Sequence, residues 1–579
     1  MVDKAIEAMM DLVIRNGLVF DGLGGEGEIA DVGIRGAYIV QVGGEMAPGR
    51  EEIDARGSIV TPGFVDIHTH YDGQAIWESR LTPSSHHGVT TVVIGNCGVG
   101  FAPCRPADRD ALVELMAGVE DIPEVVMADG LTWDWETYPE YLDAIEGRSH
   151  DVDIASYMPH SALRVYVMGD RALNREDATP EDIAEMARLT REALDAGSIG
   201  FATSRNLQHQ SVKGDPIPTV RAAEAELEGM ARALREAGTG VLQIISDFDQ
   251  YRSVEAEFAM LRRIAATSGR PMSFSLQQKH RDPLAYRHLL ELTDRAVADG
   301  LPIKAQVAAR TSGVLLGHRL SVNPFSHCPS YAAVADLPFE EKIAALRDPD
   351  LRERLIDEAR AAYAAQTKDY ADFSRVFPLA DRPDYEPMAE DSVTARAAAA
   401  GQDAFVHVYD LLLEENGEAI LLSAAQNYAD HSLSASYEML THKNTVLGLG
   451  DGGAHLGLIC DASYPTTVLA HWSRDRWRGE RLPVGKAIQL MTHDTASAVG
   501  LDDRGVLAPG YKADLNIIDY DKIALGKPHV VYDLPAGGRR VLQPATGYRA
   551  TILSGVMTYR EGQPTGALPG RLVRGRRQR

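Results

Sequence analysis

The chain has 579 residues, of which 45% are apolar and 24% charged, and its formal net charge is -25. This length exceeds what one hydrophobic core usually serves, so we expect one large domain and at least one smaller one. The negative charge disfavours nucleic acids and anionic membranes as partners. No apolar run is long enough to cross a bilayer, and the N-terminus lacks a signal-peptide pattern, so the expected location is the cytoplasm.

The two ends of the chain share a strand-rich pattern. Residues 1–60 contain short β-branched runs separated by Gly, Asn and Asp, and the same pattern returns over residues 501–579. Because the termini of a compact protein often lie close together, these segments predict one small β-sandwich domain built from both ends.

Between residues 61 and 500, strand-like runs alternate with helical ones, as in parallel β/α folds. The predicted strands are "GFVDIHTH", "TTVVIGNCG", "DIASYMPHS", "SIGFATS", "GVLQIIS", "PMSFSLQ", "IKAQVAA" and "TVLGLGD". Several of the helical segments between them end at glycine, which commonly terminates helices. The predicted fold class is therefore α/β, a (β/α)8 TIM-like barrel with the small sandwich attached.

A long interval, about residues 313–442, precedes the last predicted strand. It exceeds the length of an ordinary loop. Its runs "EEKIAALRDPDLRERLIDEARAAYAAQ" and "DAFVHVYDLLLEENGEAILLSAAQ" favour helices. We interpret the interval as a mainly helical insertion that covers one face of the barrel.

The first predicted strand ends in two histidines, in the stretch "VDIHTH". Side chains alternate along a strand, so His68 and His70 point to the same side and can share one ligand. Functional groups of such barrels lie at the carboxyl ends of strands, a rule that adds Cys97, His160 and Asp451. Imidazole, thiolate and carboxylate donors favour zinc, which makes water a hydroxide nucleophile while an aspartate beside it transfers the proton.

The ordered blocks resemble the amidohydrolase superfamily, and most closely its N-acyl-D-amino-acid deacylases. The similar blocks are "TPGFVDIHTHYDG", "GVTTVVIGNCGVGFAP", "ASYMPHSALRVYVMG", "GSIGFATS" and "MTHDTASAVGLDDRGVLAPGYKADLNIID". In those deacylases the residues equivalent to His68, His70, Cys97 and Asp451 bind zinc, and the aspartate is also the general acid and base. The resemblance therefore implies a metal ligand set of these four residues, with Asp451 as the catalytic residue.

The chain departs from that family at two strand ends. The deacylases carry a histidine at the end of strand five and another at strand six, whereas the stretches "LQIISDFD" and "SLQQKHRD" have neither. Ser246 and Asp247 lie near the first position, and Gln277 and Gln278 occupy the second. Amide groups are poor zinc ligands, so we expect one zinc ion. The alternatives are a second metal held with help from Asp247, and a noncatalytic binding protein.

Several residues are candidates for substrate binding. Lys279 stands where the deacylases place a lysine that grips the substrate carboxylate. His160 and Arg164 in "PHSALR" resemble a family pair near the pocket, with a buried structural histidine as the alternative. Arg310 is a cation near strand seven, with a solvent-exposed salt bridge as the alternative. His455, on the loop after the eighth strand, either polarises a carbonyl or caps a helix.

The predicted function is that of a zinc-dependent amidohydrolase. It would cleave the C–N amide bond of an N-acylated amino acid, or of a related small amide that carries a carboxylate, through metal-bound hydroxide. A cyclic amide, imide or lactone hydrolase on the same site is the alternative, because each reaction passes through a similar tetrahedral oxyanion.

Overall fold

The computed structural model of the chain describes residues 9–248, 253–365 and 372–575. The N-terminal segment forms strands that all join one sheet. They are β1 (Met10–Val19), β2 (Glu28–Arg35), β3 (Tyr38–Val42), β4 (Gly49–Asp54) and β5 (Ile59–Pro62). Apolar side chains of these strands, such as Ile14, Val32 and Val60, pack with Leu515 and Ile517 from the other end of the chain.

The barrel strands follow in the order predicted. They are β6 (Phe64–Asp66), β7 (Val89–Ile94), β8 (Asp153–Pro159), β9 (Gly200–Arg205), β10 (Val241–Ser246), β11 (Met272–Ser275) and β12 (Ile303–Val307). Each pairs in parallel with the next. Most of their residues are fully buried, which is why these strands are nearly continuous apolar runs.

The insertion is less helical than predicted. Its strands β13 (Ser312–Leu316), β14 (Val376–Pro378) and β15 (Leu421–Gln426) pair antiparallel in a small sheet. In the run "DAFVHVYDLLLEENGEAILLSAAQ" the α-helix covers only Ala404–Leu412, and the last six residues form strand β15. Leu and Ala favour helices intrinsically, but here pairing on both sides of β15 decides the conformation. Residues 366–371 of this interval lie outside the described residues.

The last barrel strand, β16 (Thr445–Leu447), pairs with β12. Just beyond both strand ends, a parallel bridge between Thr69 and Gly452 joins the β16 side to the β6 side. The barrel is therefore closed at the end where the predicted site residues lie.

The C-terminal segment completes the terminal sheet. Its strands are β17 (Leu515–Ile518), β18 (Ala524–Leu525), β19 (His529–Leu534), β20 (Gly538–Leu542), β21 (Ala545–Thr546), β22 (Tyr548–Leu553), β23 (Val556–Arg560) and β24 (Gln563–Pro564). Strand β17 pairs with β5, so both chain ends share one sheet, and β18–β21 and β19–β20 form two small ribbons. The predicted fold class is confirmed, while the boundaries at residues 60 and 500 stay a prediction.

Helices fill the connections between strands. In the first half of the chain they are α1 (Gln74–Trp77), α2 (Arg109–Glu120), α3 (Glu124–Gly130), α4 (Tyr138–Glu146), α5 (His160–Met168), α6 (Asp170–Leu173), α7 (Pro180–Ala196), α8 (Glu224–Ala237), α9 (Val254–Ser268) and α10 (Ala285–Ala298). In the second half they are α11 (Pro329–Ala332), α12 (Phe339–Leu346), α13 (Pro349–Ala365), α14 (Val393–Ala399), α15 (Ala404–Leu412), α16 (Ser434–Thr441), α17 (Tyr464–Thr467), α18 (Val484–Met491) and α19 (His493–Ala498).

Helix α7 shows how the sequence sets these boundaries. Thr179 and Asp182 form a reciprocal capping box at its start, and Pro180 occupies the first helical position. Gly197 ends the helix with φ near 116°, in the left-handed region that favours glycine. Within the described ranges, no helix is both long and apolar enough to span a membrane.

Candidate metal centre and substrate cavity

Barrel closure brings the first and last strands together at the site. The Asp451 N–H donates to the His68 carbonyl at 3.0 Å, and the His70 N–H donates to the Gly452 carbonyl at 2.7 Å. Both imidazoles are buried. The backbone bridge just beyond β6 and β16 therefore fixes the two histidines beside the late aspartate.

Cys97 joins them from the turn after β7. Its backbone has φ of 55°, and Gly98 follows so close to β9 that an added Cβ would lie 2.7 Å from the Thr203 Cα. This tight turn points the thiol at the histidines, with Sγ 3.5 Å from His68 Nε2 and 3.8 Å from His70 Nε2.

Asp451 lies beside the two imidazoles. Its Oδ1 lies 3.4 Å from His68 Nε2 and 3.8 Å from His70 Nε2. Over the described residues, the donor atoms of His68, His70 and Cys97 form the one group of three or more that lie within 4.8 Å of one another. Two imidazoles, a thiol and a carboxylate are a donor set that suits zinc.

Each imidazole is oriented through its other ring nitrogen. His68 Nδ1 lies 2.8 Å from Gln306 Oε1, and His70 Nδ1 lies 3.3 Å from Glu120 Oε1. Acceptors at Nδ1 keep the proton there and leave Nε2 free to bind a metal, as in many zinc sites. Both Nε2 atoms face Cys97 and Asp451, which fits a single ion held between them.

The charges of the site also favour a bound cation. Burial raises the pKa of Asp451 to about 6 and that of Asp72 to about 7. It also raises the pKa values of Glu120 and the Cys97 thiol well above their ordinary range, helped by repulsion among these acids. A divalent cation would reverse these shifts, because it stabilises the deprotonated forms.

The centre lies at the base of a cavity of about 630 Å³. Most of its lining is polar, the apolar members among the described residues being Ile245, Ala425 and Leu449. Two predicted substrate-binding residues, Lys279 and His455, line it. The insertion supplies part of the wall, and the backbone of Lys279 forms an antiparallel bridge to Gln426, the last residue of β15.

His160 and Arg164 do not reach the cavity. His160 Nε2 lies 2.9 Å from Glu226 Oε1, and Arg164 Nε donates to the same oxygen at 2.8 Å. His160 Nδ1 lies 2.8 Å from Thr203 Oγ1. This buried network joins α5, β9 and α8. His160 therefore fits the alternative of a buried structural histidine, and Arg164 belongs to the same network.

Arg310 is also buried away from the cavity. Its Nη2 lies 2.5 Å from Asp461 Oδ1, its Nη1 donates to Ser463 Oγ at 3.0 Å, and its guanidinium lies 4.1 Å from the centre of the Tyr385 ring. The structure corrects the expectation of a substrate contact: Arg310 joins β12 to the insertion and the loop after β16.

We expect Arg310→Met to lower the free energy of unfolding by about 3–5 kcal/mol, because it removes a buried guanidinium and leaves the largely covered Asp461 carboxylate without its partner. Chemical denaturation followed by circular dichroism measures the loss. Arg382→Met is the control, since Arg382 pairs with Asp475 at 2.9 Å with 75% of its side chain exposed, and it should cost less than about 1 kcal/mol. Equal stability of the two variants would contradict the assignment.

The strand ends that lack the family histidines carry small polar groups in the cavity. Ser246 ends β10, Ser275 ends β11, and Gln277 also lines the cavity. Gln278 does not, because its Oε1 accepts from the Ala429 N–H at 3.1 Å and its Nε2 donates to the Pro283 carbonyl at 3.3 Å. Asp247 lines the cavity, and its Oδ2 accepts from the Leu207 N–H at 2.7 Å.

The strand-end rule missed three residues of the site. Glu120 ends helix α2, Gln306 lies inside β12, and His209 lies on the loop after β9, where it lines the cavity with Nδ1 2.9 Å from Ser204 Oγ. The sequence could have indicated His209, because it follows the fourth strand within the stretch "ATSRNLQHQ". Glu120 and Gln306 reach the site only through tertiary packing.

Comparison with known proteins identifies the class. The amidohydrolase family profile matches residues 51–564. The chain therefore belongs to the amidohydrolase family, which confirms the resemblance seen in the sequence, and it is a hydrolase of carbon–nitrogen bonds other than peptide bonds.

Individual relatives are similar over almost the whole chain. D-aminoacylase of Alcaligenes xylosoxydans xylosoxydans is 27% identical over 573 residues, which cover 97% of each chain. Among solved structures, one of D-aminoacylase is 24% identical with a TM-score of 0.65, covering 98% of this chain and 100% of its own. The zinc complex of N-acyl-D-glutamate deacylase from Bordetella bronchiseptica is 22% identical, with the same TM-score and coverage. These structures support the fold.

Proposed function

We propose that the protein is a zinc-dependent hydrolase that removes the acyl group from N-acylated amino acids or closely related small amides. The observation that carries the proposal is the convergence of His68, His70, Cys97 and Asp451 at the base of a polar cavity that Lys279 also lines. The names of the similar D-aminoacylase and N-acyl-D-glutamate deacylase support the substrate class.

One metal ion accounts for the donors present. His68, His70, Cys97 and Asp451 would hold it, while the ends of β10 and β11 offer Ser246 and Ser275 in place of imidazoles. When bound, zinc supplies the positive charge that makes water nucleophilic near neutral pH and polarises an amide carbonyl.

The protein groups would do the remaining work. Asp451 faces the cavity with 26% of its side chain exposed, so its carboxylate can take a proton from the attacking water and give it to the leaving nitrogen. Lys279 would bind the substrate carboxylate on the cavity wall, and His455 would donate a hydrogen bond to the acyl oxygen.

Metal analysis combined with a substrate screen tests the proposal. Purified protein should contain about one zinc ion per chain and release free amine from N-acylated amino acids, assayed as separate D and L sets. Cyclic imides and lactones are assayed beside them. Hydrolysis of the cyclic imides or lactones alone would favour the alternative function. Protein that holds no metal and hydrolyses none of these compounds would overturn the proposal.

Lys279→Met should raise KM for N-acyl amino acids about 10- to 100-fold, because a charge-assisted contact to the carboxylate is lost. The same variant should leave the KM unchanged for matched substrates whose carboxylate is a neutral amide. Lys304→Met is the control, since Lys304 lies on β12 outside the cavity lining. A similar rise for charged and neutral substrates would contradict carboxylate binding by Lys279.

A further inference from the structure

Glu120 is a buried acid at the site that strand-end reasoning did not find. It ends helix α2, between the second and third barrel strands, and only 1% of its surface is exposed. Within the described residues it forms no ion pair with Lys or Arg, and its side chain faces two imidazoles instead. A buried carboxylate without a cationic partner is costly, so its presence calls for a role.

The first imidazole is that of His70. Glu120 Oε1 and His70 Nδ1 lie 3.3 Å apart. Both atoms are buried, and neither has a hydrogen-bond partner among the described residues, so this close approach of carboxylate and imidazole is their only polar contact there. A carboxylate behind a metal-binding histidine fixes the ring and raises the basicity of the nitrogen that binds the metal.

The second imidazole is that of His455, on the loop after β16. Glu120 Oε2 lies 3.6 Å from His455 Nε2, and the His455 N–H donates to the Glu120 backbone carbonyl. His455 has φ of 50°, a left-handed conformation that few residues other than glycine adopt, so these contacts hold an unusual turn. Glu120 therefore joins α2 to the loop that carries Asp451.

We infer that Glu120 is a positioning residue for the metal centre, and that it orients His70 as a ligand and His455 as a cavity side chain. The inference rests on the proposed zinc site for the role of His70, and on the proposed reaction as well for the role of His455. His68 shows the contrast, because its Nδ1 faces the neutral amide of Gln306 at 2.8 Å. One ligand imidazole is thus supported by a charge and the other by a dipole.

Zinc affinity tests whether Glu120 orients His70, and it needs no assay of hydrolysis. Glu120→Gln keeps the size of the side chain and removes its charge, and we expect it to weaken zinc binding about 10- to 100-fold in competition with a chromophoric chelator. Glu120→Asp keeps the charge on a shorter arm and should fall between wild type and Glu120→Gln. Glu226→Gln is the control, since Glu226 is a buried acid that contacts His160 and Arg164 away from the cavity.

An affinity for zinc within twofold of wild type in Glu120→Gln would overturn the inference, as would an equal loss in Glu226→Gln. Circular dichroism and the thermal midpoint of the metal-free proteins establish that each variant is folded. If Glu120→Gln does not fold, the affinity of Glu120→Asp decides, and a value equal to wild type counts against the inference.

A double-mutant comparison tests whether Glu120 also orients His455. If Glu120 holds His455, then His455→Gln should lower kcat/KM less in the Glu120→Gln background than in wild type. Additive losses of kcat/KM would overturn the inference that Glu120 orients His455. A wild-type protein that binds zinc but hydrolyses no amide would instead count against the proposed function. The zinc affinities of the Glu120 variants would still decide whether Glu120 orients His70.

Discussion

Replacing Asp451 with asparagine should lower kcat/KM for amide hydrolysis by about 10³-fold or more, because the amide cannot accept the proton of the attacking water. The same change removes a carboxylate from beside His68 and His70, 3.4 and 3.8 Å away. We therefore expect weaker zinc binding as well. Rates measured at saturating zinc separate the loss of proton transfer from the loss of metal.

Asp282→Asn is the matched control for this variant. Asp282 lines the same cavity but is exposed at its rim, so its substitution changes the local charge equally without touching the metal centre. We expect its kcat/KM to stay within a few-fold of wild type. If both variants behaved alike, Asp451 would not be the general base.

Removal of zinc should abolish hydrolysis and also destabilise the fold. Without a cation the site buries the acids Glu120 and Asp72 next to Asp451, and their raised pKa values express the cost of keeping them charged. A ligand at 1,000 times its Kd stabilises the folded state by about 4 kcal/mol. The thermal midpoint should therefore fall on chelation and return when zinc is restored.

A chain with both His68→Asn and His70→Asn provides the control for that experiment. It should show a low thermal midpoint that neither chelator nor zinc changes, because two of the four donors are missing. Acid should weaken zinc binding in the wild type, since protons compete for the imidazoles, the thiolate and the carboxylate. Full activity after complete removal of metal would contradict the proposed chemistry.

The sequence predicted that His68, His70, Cys97 and Asp451 lie close together because its signals were local. The alternation of a strand set His68 and His70 on one side, and the strand-end rule placed Cys97 and Asp451 at the same end of the barrel. These positions depend on the backbone path alone, and all eight predicted strands appear in the parallel sheet of the described residues.

The same rule was less informative for side chains whose partners come from elsewhere. His160 and Arg310 both follow barrel strands, but Glu226 and Asp461 bind them outside the cavity. The strand end determines the position of the backbone, whereas the nearest buried charge determines the direction in which a long polar side chain points. The insertion shows a related limit, because the pairing of β15 with β13 and β14 overrides the helical preference of its residues.

The bridge between Thr69 and Gly452 has a consequence for biosynthesis. The histidine pair leaves the ribosome early and the aspartate late, with most of the chain between them. A nascent chain that has not yet produced β16 lacks the carboxylate and the ladder that aligns the imidazoles. With the proposed ligand set, full-affinity zinc binding would therefore require the finished polypeptide, and an interrupted translation product would bind the ion more weakly.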